Sequence, residues 1–469
     1  MKIVFVDLLN LYNDPHGIHA LAGVLNNTGA GLFYVGSRRF DRVLNEIGRI
    51  EPDLVCYSSF SATIPLYTEF DKRLKESAAT ATSIIGGPGP TYDWTALRGS
   101  TIDAVCIGEG EYALVDFVQN GFKPVKNIFS PDDDFPGAFY PLAEMDSLPF
   151  PDRSLVYKAD SLLRDSPSKQ FFSGRGCPYD CSYCFNHKFR EIFHDCGPLV
   201  RKKSVDYLLA EIKDVQQRYP LKEVVFNDDI FILGKKWFGE FCYRYPREVG
   251  LPYTCNVRAN LIDEDIAAGL RDSLCQGVNW AIETGNERLR NTILNRNMSD
   301  QQIYEAARCL KKHDIPFRTG NILGLPGETV PQMFETVEMN IRVNPYIGLA
   351  NIFIPFPGLK LTQYAMEQGC CHDPDIGDLP KDYFTHSMLN FSEKEKNRIY
   401  KLFCLFPFFV QWPFLFHRPG VRKRLLAAPR MMLRLAYELI YTYKMSRLCI
   451  PRTPLRIKLR MVLRHLRNL

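Results

Sequence analysis

Three cysteines carry the clearest chemistry in this chain. Cys177, Cys181 and Cys184 stand at C-x-x-x-C-x-x-C spacing within Gly174-Arg175-Gly176-Cys177-Pro178-Tyr179-Asp180-Cys181-Ser182-Tyr183-Cys184. A short glycine-bearing loop of this spacing can turn three thiolates toward one point. Soft thiolates select iron–sulfur clusters, zinc or copper(I). A structural zinc asks for a fourth ligand, and Cys196, His187 and His194 lie near enough in sequence to offer one. A four-iron cluster held by three cysteines instead keeps one iron open to a small ligand. With 14 cysteines in 469 residues, some close spacings also arise by chance, so the flanking sequence has to decide.

The segment that must position this loop alternates between strand-like and helix-like stretches. Residues 168–173 read as a strand running into the cysteines. Helices follow at 204–218, 235–248, 263–275, 299–313, 330–343 and 361–368, and strands at 223–227, 253–257, 278–283, 317–323 and 349–353. Ser204 and Ser299 are placed as N-caps. Six β/α units match a partial TIM-type barrel, which builds its site at the C-terminal ends of the strands. Polar residues fall at those ends: Asn227-Asp228-Asp229, then Asn256 and Arg258, then Glu283-Thr284-Gly285, then the run from Gly320 through Gly324 to Glu328. Asp228 and Asp229 are candidates for substrate binding or proton transfer. Glu283 and Arg258 read either as ligand contacts or as an ion pair inside the barrel mouth. Glu328 can instead be a carboxylate favoured by a helix N-terminus. Cys255 and Cys275, at a strand and a helix end, read as small buried hydrophobes, and Cys370-Cys371-His372 as a surface pair.

Residues 1–125 alternate as well. Strands are expected at 2–8, 32–35, 53–58, 83–86 and 104–107, with helices at 17–27, 42–50 and 67–77. That order favours an α/β, Rossmann-like domain, a parallel sheet covered on both faces, with ligands at the strand C-termini. Gly86-Gly87-Pro88 and Gly108-Glu109-Gly110-Glu111 stand there. Their glycines either admit a ligand close to the backbone or simply form tight turns. Residues 126–165, with Pro131, Pro136, Pro141, Pro149 and Pro151 and the acids Asp132, Asp133 and Asp134, read as a surface linker. The barrel then spans 166–369, and 370–469 form a mainly helical basic region.

Length and composition agree. A chain of 469 residues suits two or three domains, and 46% hydrophobic residues fill their cores. The apolar run at the N-terminus is too short for a signal peptide, so the cysteines are expected as reduced thiols or ligands in the cytoplasm. The net charge of +5 conceals a split. Residues 418–469 hold 14 Lys/Arg against the single acid Glu438, a net +13, which leaves −8 for the remainder. Residues 400–416 are almost wholly apolar, but Pro407 and Pro413 and a length of 17 residues fit a membrane-spanning helix poorly. Residues 455–469 read as a basic amphipathic helix: Leu455, Leu459, Val462, Leu463, Leu466 and Leu469 form the stripe, with Arg456, Arg460, Arg464 and Arg467 mostly off it. It is expected to pack on the apolar segment as a lid, the alternative being an anionic membrane surface. Beyond charge, no motif points to nucleic acid.

The cysteine loop, with aromatic Tyr183 directly before the last ligand, and the polar strand ends together resemble the radical S-adenosylmethionine (SAM) superfamily. The resemblance implies that Cys177, Cys181 and Cys184 ligate a 4Fe-4S cluster whose open iron chelates SAM. It further implies that Tyr183 packs near the adenine and that Arg258, Gly320 and Gly324 are SAM contacts. Glu283 would accept from the ribose hydroxyls, which a carboxylate can do for both donors at once. The order of a first strand, Pro15-His16-Gly17, Tyr57-Ser58-Ser59, Gly86-Gly87-Pro88 and Gly108-Glu109-Gly110-Glu111 is similar to the cobalamin-binding domain ahead of many such cores. It implies cobalamin contacts at Gly86, Gly87, Gly108 and Glu109. Asp14-Pro15-His16-Gly17-Ile18-His19 departs from the cobalt-ligating D-x-H-x-x-G pattern at its last position. His16 is therefore expected as a loop histidine, with the lower face of cobalt empty or holding water.

These implications converge on a cobalamin-dependent radical SAM enzyme, a C-methyltransferase acting on a small-molecule or natural-product substrate. Its electrons would come from a flavodoxin- or ferredoxin-type donor. The same cofactors serve ring contraction and oxidative cyclisation in relatives. A non-catalytic metal- or cobalamin-binding regulator is the reading of another class. A methylthiotransferase would need three more cysteines in the first domain, where only Cys56 and Cys106 occur.

Overall fold

The computed structural model describes residues 1–9, 13–77, 80–135, 137–380, 386–448 and 453–468, with side chains described up to residue 464. Pro136 and Leu469 lie outside the described residues, and Leu466 and Arg467 outside the described side chains.

The N-terminal domain is one six-stranded sheet. Its strands are β1 Lys2–Asp7, β2 Gly31–Gly36, β3 Leu54–Ser58, β4 Thr82–Gly86, β5 Ala104–Cys106 and β6 Ile128–Phe129. The order is β2-β1-β3-β4-β5-β6, parallel except for β6. Alternation along β1 serves both faces. Ile3 and Phe5 join one core with the helices His16–Leu25 and Glu111–Gln119. Val4 and Val6 join the other with Phe40–Ile50 and Ile64–Glu76. Strand order reverses direction beside β1 and β3, and in such sheets ligands lie in the crevice at that reversal, outside the strand C-termini.

The second domain is an open barrel. β7 Ser168–Phe171 enters the cysteine loop, which is clasped by β8 Gly174–Arg175 paired antiparallel with β9 Arg201–Lys202. The barrel continues through β10 Glu223–Phe226, β11 Tyr253–Asn256, β12 Cys275–Glu283, β13 Phe317–Leu323 and β14 Ile347–Ile352. The six long strands run in sequence order and all parallel. Ser204 accepts from Tyr207 N at 3.1 Å and Ser299 from Gln302 N at 3.2 Å, so both serines cap as their positions suggest. Cys275 opens β12 rather than ending a helix, because Leu274 turns the chain with φ +72° one residue earlier.

Three expectations need correction. Residues 126–165 are not a surface linker. They supply β6, the helices Ser154–Ala159 and Ser161–Asp165, and buried Leu142, Ala143, Met145, Val156 and Tyr157. The C-terminal helix is also not a lid on the apolar segment. Arg464 reaches Asp160 at 2.6 Å, and Thr453 shares a hydrogen bond with Glu223 at 3.3 Å. Leu448 packs on Gly277 at the start of β12. The tail thus closes the N-terminal end of the barrel, opposite the strand ends that build the site. Cys371 is likewise buried in a small core beside Leu361 and Leu389, not paired on the surface.

What packs on the apolar segment is the helix Arg430–Leu448, where Tyr437 meets Phe403 with ring centroids 4.6 Å apart. The apolar segment itself is the helix Glu393–Gln411, which runs unbroken through buried Pro407. An interior proline costs a helix about 3 kcal/mol, and here dense burial of Leu402, Phe403, Cys404, Phe406 and Phe409 offsets it. This helix lies along β14 and covers the open edge of the barrel, with Val410 against Gly348. No described helix is long and apolar enough to cross a membrane. Phe406 is fully buried in that seal. Phe406→Ala is expected to destabilise the barrel by about 3–5 kcal/mol, read as a lowered thermal midpoint, with little change if the seal is dispensable.

Candidate active site

The cysteine loop is fixed from several sides before any metal is considered. Ser182 donates to Ile293 O at 2.6 Å, and its own amide bonds Leu294 O at 3.1 Å. Asn295 donates to Asp180 O at 2.8 Å. Arg190, on the helix Phe185–Ile192 that follows the loop, reaches Tyr179 O at 2.6 Å and Cys177 O at 3.2 Å. Leu361 N bonds Ser182 O at 2.9 Å. The loop is therefore held by both donors and acceptors contributed from other parts of the barrel.

The thiols fit a soft-metal cluster. Cys181 is buried, and Arg258 Nη1 lies 3.6 Å from its sulfur. Asn186 donates toward Cys184 Sγ at 3.5 Å. Burial raises the Cys177 thiol above its ordinary range and pushes Cys184 up to about 11. Those two thiols stay protonated alone, and a bound metal would hold them as thiolates. The zinc alternative is not assembled. His187 faces Cys181 O at 3.2 Å through Nδ1, and His194 sits on the surface beside Asp195 at 2.8 Å. Cys196 packs into the core of the N-terminal domain. Among the described residues no three His, Cys, Asp or Glu converge on a single ion; a cluster spaces its thiolates over several irons instead.

Beside the loop, the other strand ends form one network. Tyr183 donates to Glu283 Oε1 at 2.7 Å. Arg296 reaches the same oxygen at 3.2 Å, bonds the Tyr183 hydroxyl, and anchors on Ala281 O at 2.7 Å. Glu283 adopts φ +70°, so the chain leaves β12 by a left-handed turn that swings its carboxylate into the mouth. The ion pair inside the mouth is thus Glu283 with Arg296, not with Arg258. Arg258 stacks over Tyr179 at 3.7 Å and donates to Asn260 at 2.8 Å and to Arg296 O. Sequence reasoning passed over Arg296. Its only signal is its place between Asn295 and Asn297, both at positive φ.

Two of the strand-end candidates, Asp228 and Glu328, carry structural bonds. Asp228 is buried and bracketed by Ser173, whose amide and hydroxyl bond it at 2.9 and 2.5 Å, with Lys202 at 3.6 Å. That ties β10 to β7 and gives each oxygen of Asp228 a structural partner. Asp229 is exposed on the cleft floor yet ringed by protein, and that partial burial raises its carboxyl, helped by Asp228. Glu328 accepts from Gly324 N at 2.8 Å and Leu325 N at 3.1 Å, closing the turn after β13; burial pushes it up to about 8. Gly320 lies mid-strand in β13, where a Cβ would make only ordinary contact with Ala281 at 3.6 Å.

The strand ends of the two sheets face each other. Tyr92, after β4, stacks on Phe185 with centroids 4.6 Å apart, and Lys188 donates to Tyr92 O at 3.2 Å. Gly87 has φ +97° and passes so near Ser59 that a Cβ would lie 2.9 Å from its carbonyl oxygen. Gly86 lies beside Cys106. Gly108, at φ +80°, is covered directly by the Phe193 ring from beyond the cysteines. Glu109 does not face an open crevice. Arg201 grips it in bidentate fashion at 2.5 and 3.0 Å, and Arg175 adds a contact at 2.9 Å. Arg175 also bonds Glu111. Burial opposes the charge on Glu109, but the two guanidiniums hold its carboxyl down to about 2. His16 packs edge-on against Phe172 at 4.6 Å, and burial lowers it to about 3, which keeps the ring neutral. Its Nε2 is buried without a hydrogen-bond partner.

Residues 171–339 match the radical SAM superfamily, and residues 4–118 match the B12 binding domain. The chain carries a radical SAM domain and a B12-binding domain. An uncharacterized methyltransferase of Pyrococcus horikoshii is 27% identical, over 70% of this chain and 72% of its own. An anaerobic magnesium-protoporphyrin IX monomethyl ester cyclase of Rubrivivax gelatinosus is 23% identical, over 85% and 74%. Among solved structures, the radical SAM methyltransferase TsrM of Kitasatospora setae aligns with TM-score 0.63 at 16% identity over 78% of both chains. The cobalamin-dependent SAM radical enzyme OxsB aligns with TM-score 0.63 at 14% identity, over 94% of this chain and 72% of its own. At such identities the structures show the shared fold. The cofactors of the two domains are a 4Fe-4S cluster with SAM, and cobalamin.

The Glu109 clamp gives a pH prediction. A carboxyl at about 2 when folded, against an ordinary 4.5, contributes stability fully present above 4.5 and lost as pH falls through 2. Small-angle scattering should show the radical SAM and B12-binding domains staying docked at neutral pH and loosening across that acid window. Glu109→Gln should be looser at neutral pH and lose much of the pH dependence. A variant as compact as the parent at every pH would remove the clamp's role.

Proposed function

We propose that this chain is a cobalamin-dependent radical SAM enzyme that methylates a carbon of a small-molecule or natural-product substrate. The observation that carries the reading is the facing of the cysteine loop and the B12 domain's strand-end crevice across one clamped cleft. When bound, the cofactors supply a 5'-deoxyadenosyl radical by reductive cleavage of SAM, hydrogen abstraction from a substrate carbon, and a methyl group from methylcobalamin.

The chain's own residues have distinct tasks in this reading. Cys177, Cys181 and Cys184 would hold the cluster, and SAM would bind beside it. Glu283 engages Tyr183 and Arg296 through Oε1 only, so Oε2 stays available to accept from a ribose hydroxyl. Tyr183 sits beside it for the adenine, and Arg258 steadies Cys181 from the other side. The turn after β13, braced by Glu328 on Gly324, brings backbone near the adenine together with Gly320. Gly86 and Gly87 would let the corrin lie close to the B12 domain, whereas Gly108 is covered by Phe193. Asp229, open to the cleft, is the acid placed to hold or move a proton of the substrate. Sealing by the two domains keeps water from a reactive radical. The electron donor is of flavodoxin or ferredoxin type, and the compartment the cytoplasm.

A second reading keeps every residue role and changes the product. Similarity to the Rubrivivax gelatinosus cyclase over 85% of this chain favours an oxidative cyclisation. The test is anaerobic reconstitution with iron, sulfide and cobalamin, then SAM carrying a labelled methyl group and a low-potential reductant. Label in the product mass supports methylation, and 5'-deoxyadenosine with unlabelled product supports cyclisation. Cys181→Ala should lose the cluster absorbance and all 5'-deoxyadenosine while still binding cobalamin. A full cluster spectrum in that variant, or zinc in the parent, would overturn the assignment.

A further inference from the structure

The C-terminal module leaves two apolar rows uncovered. On the helix Arg430–Leu448, Met431, Leu435, Leu439 and Tyr443 recur every four residues and are 83, 63, 66 and 55% exposed. On the helix Leu455–Asn468, Leu455, Leu459 and Leu463 recur likewise, at 72, 53 and 53%. The inner faces of both helices are already occupied, since Leu433, Tyr437, Leu448 and Ile457 are buried. Each helix thus packs with one stripe and presents a second. Apolar surface on this scale marks an interaction site.

Charge says what fits it. Beside the start of the first row is a groove of about 400 Å³, lined by Lys394, Arg398, Lys401, Arg422 and Lys423. Val330, Phe334 and Leu426 give it an apolar floor, and no carboxylate lines it. Among the described residues Lys394, Arg398, Lys401 and Lys423 form no ion pair. Residues 418–469 carry +13. A second copy would set +13 against +13. A nucleic acid would answer the charge but leave the leucine rows in water. Anionic headgroups over acyl chains answer both. No described helix crosses a membrane, so the contact is peripheral.

We propose that the C-terminal helices dock this enzyme on an anionic phospholipid surface. Leu435, Leu439, Tyr443, Leu459 and Leu463 lie in the headgroup layer, and the Lys394–Lys423 groove takes a lipid phosphate.

The test is flotation of the reconstituted full chain with vesicles of phosphatidylcholine plus phosphatidylglycerol, against phosphatidylcholine alone. The protein should float with the anionic vesicles only, and added salt should release it. Leu435→Glu/Leu439→Glu and Lys394→Glu/Lys401→Glu should each lower partition by about tenfold or more, with cluster absorbance and SAM cleavage unchanged. Should the first pair fail to fold, Leu459→Glu/Leu463→Glu makes the same test on the outermost helix. No flotation, or equal flotation on neutral and anionic vesicles, overturns the proposal. So does a dimer that the leucine substitutions dissolve while flotation is unaffected.

Discussion

One partly buried carboxylate sets the geometry of this molecule. Glu109, at the C-terminal end of the last parallel strand of the first sheet, receives Arg201 and Arg175 from the second domain. A buried ion pair adds little net stability, because desolvation cancels much of the attraction. Breaking it by removing one partner costs about 3–5 kcal/mol, because a charge is left unpaired. Such a contact chooses among relative orientations more than it strengthens the chosen one. Here the chosen one points the two sets of strand ends at each other.

The same contact reaches the metal loop through a very short path. Arg175 and Arg201 are direct partners across the two-stranded β8–β9 clasp. Arg175 lies two residues before Cys177, so the guanidinium that grips the first domain also fixes the entry of the cysteine loop. Asp228 holds the other side of the clasp through Ser173 and Lys202. Position of the cluster, angle between the domains and opening of the cleft are therefore one constraint expressed three times. Downstream, the helix Glu393–Gln411 stands where a closed barrel would have its remaining strands, and its aromatic side chains replace the missing ladder.

Much of this was legible in the sequence because it is local. Strand and helix periodicities located the barrel strands to within two or three residues, and Val330–Val343 and Lys235–Glu248 come out with the expected bounds. The three cysteines carry their meaning in their spacing. What was illegible depends on pairs distant along the chain. Glu109 looked like a ligand contact because its partners stand far downstream, at Arg175 and Arg201. Asp228 looked like a free turn acid because Ser173, on another strand, is what occupies it. The proline-rich segment looked like a tether because composition cannot register that Tyr157 and Val156 find a core. Pro407 looked like a break because local propensity ignores burial.

That proline-rich segment also hides a knot between the halves of the molecule. Arg153 is buried and donates to Asp14 of the first domain at 3.1 Å and to Gln170 O of the barrel at 2.5 Å, with its guanidinium over Phe171. Tyr157 and His19 complete the shell around Asp14. A guanidinium so placed has no aqueous alternative on either side. Cutting the gene near residue 150 would therefore not yield two independent modules: each fragment would expose half of a polar core that only the other half can satisfy. Corrinoid and cluster portions of this chain are a single folding and inheritance unit, exchangeable together but not apart.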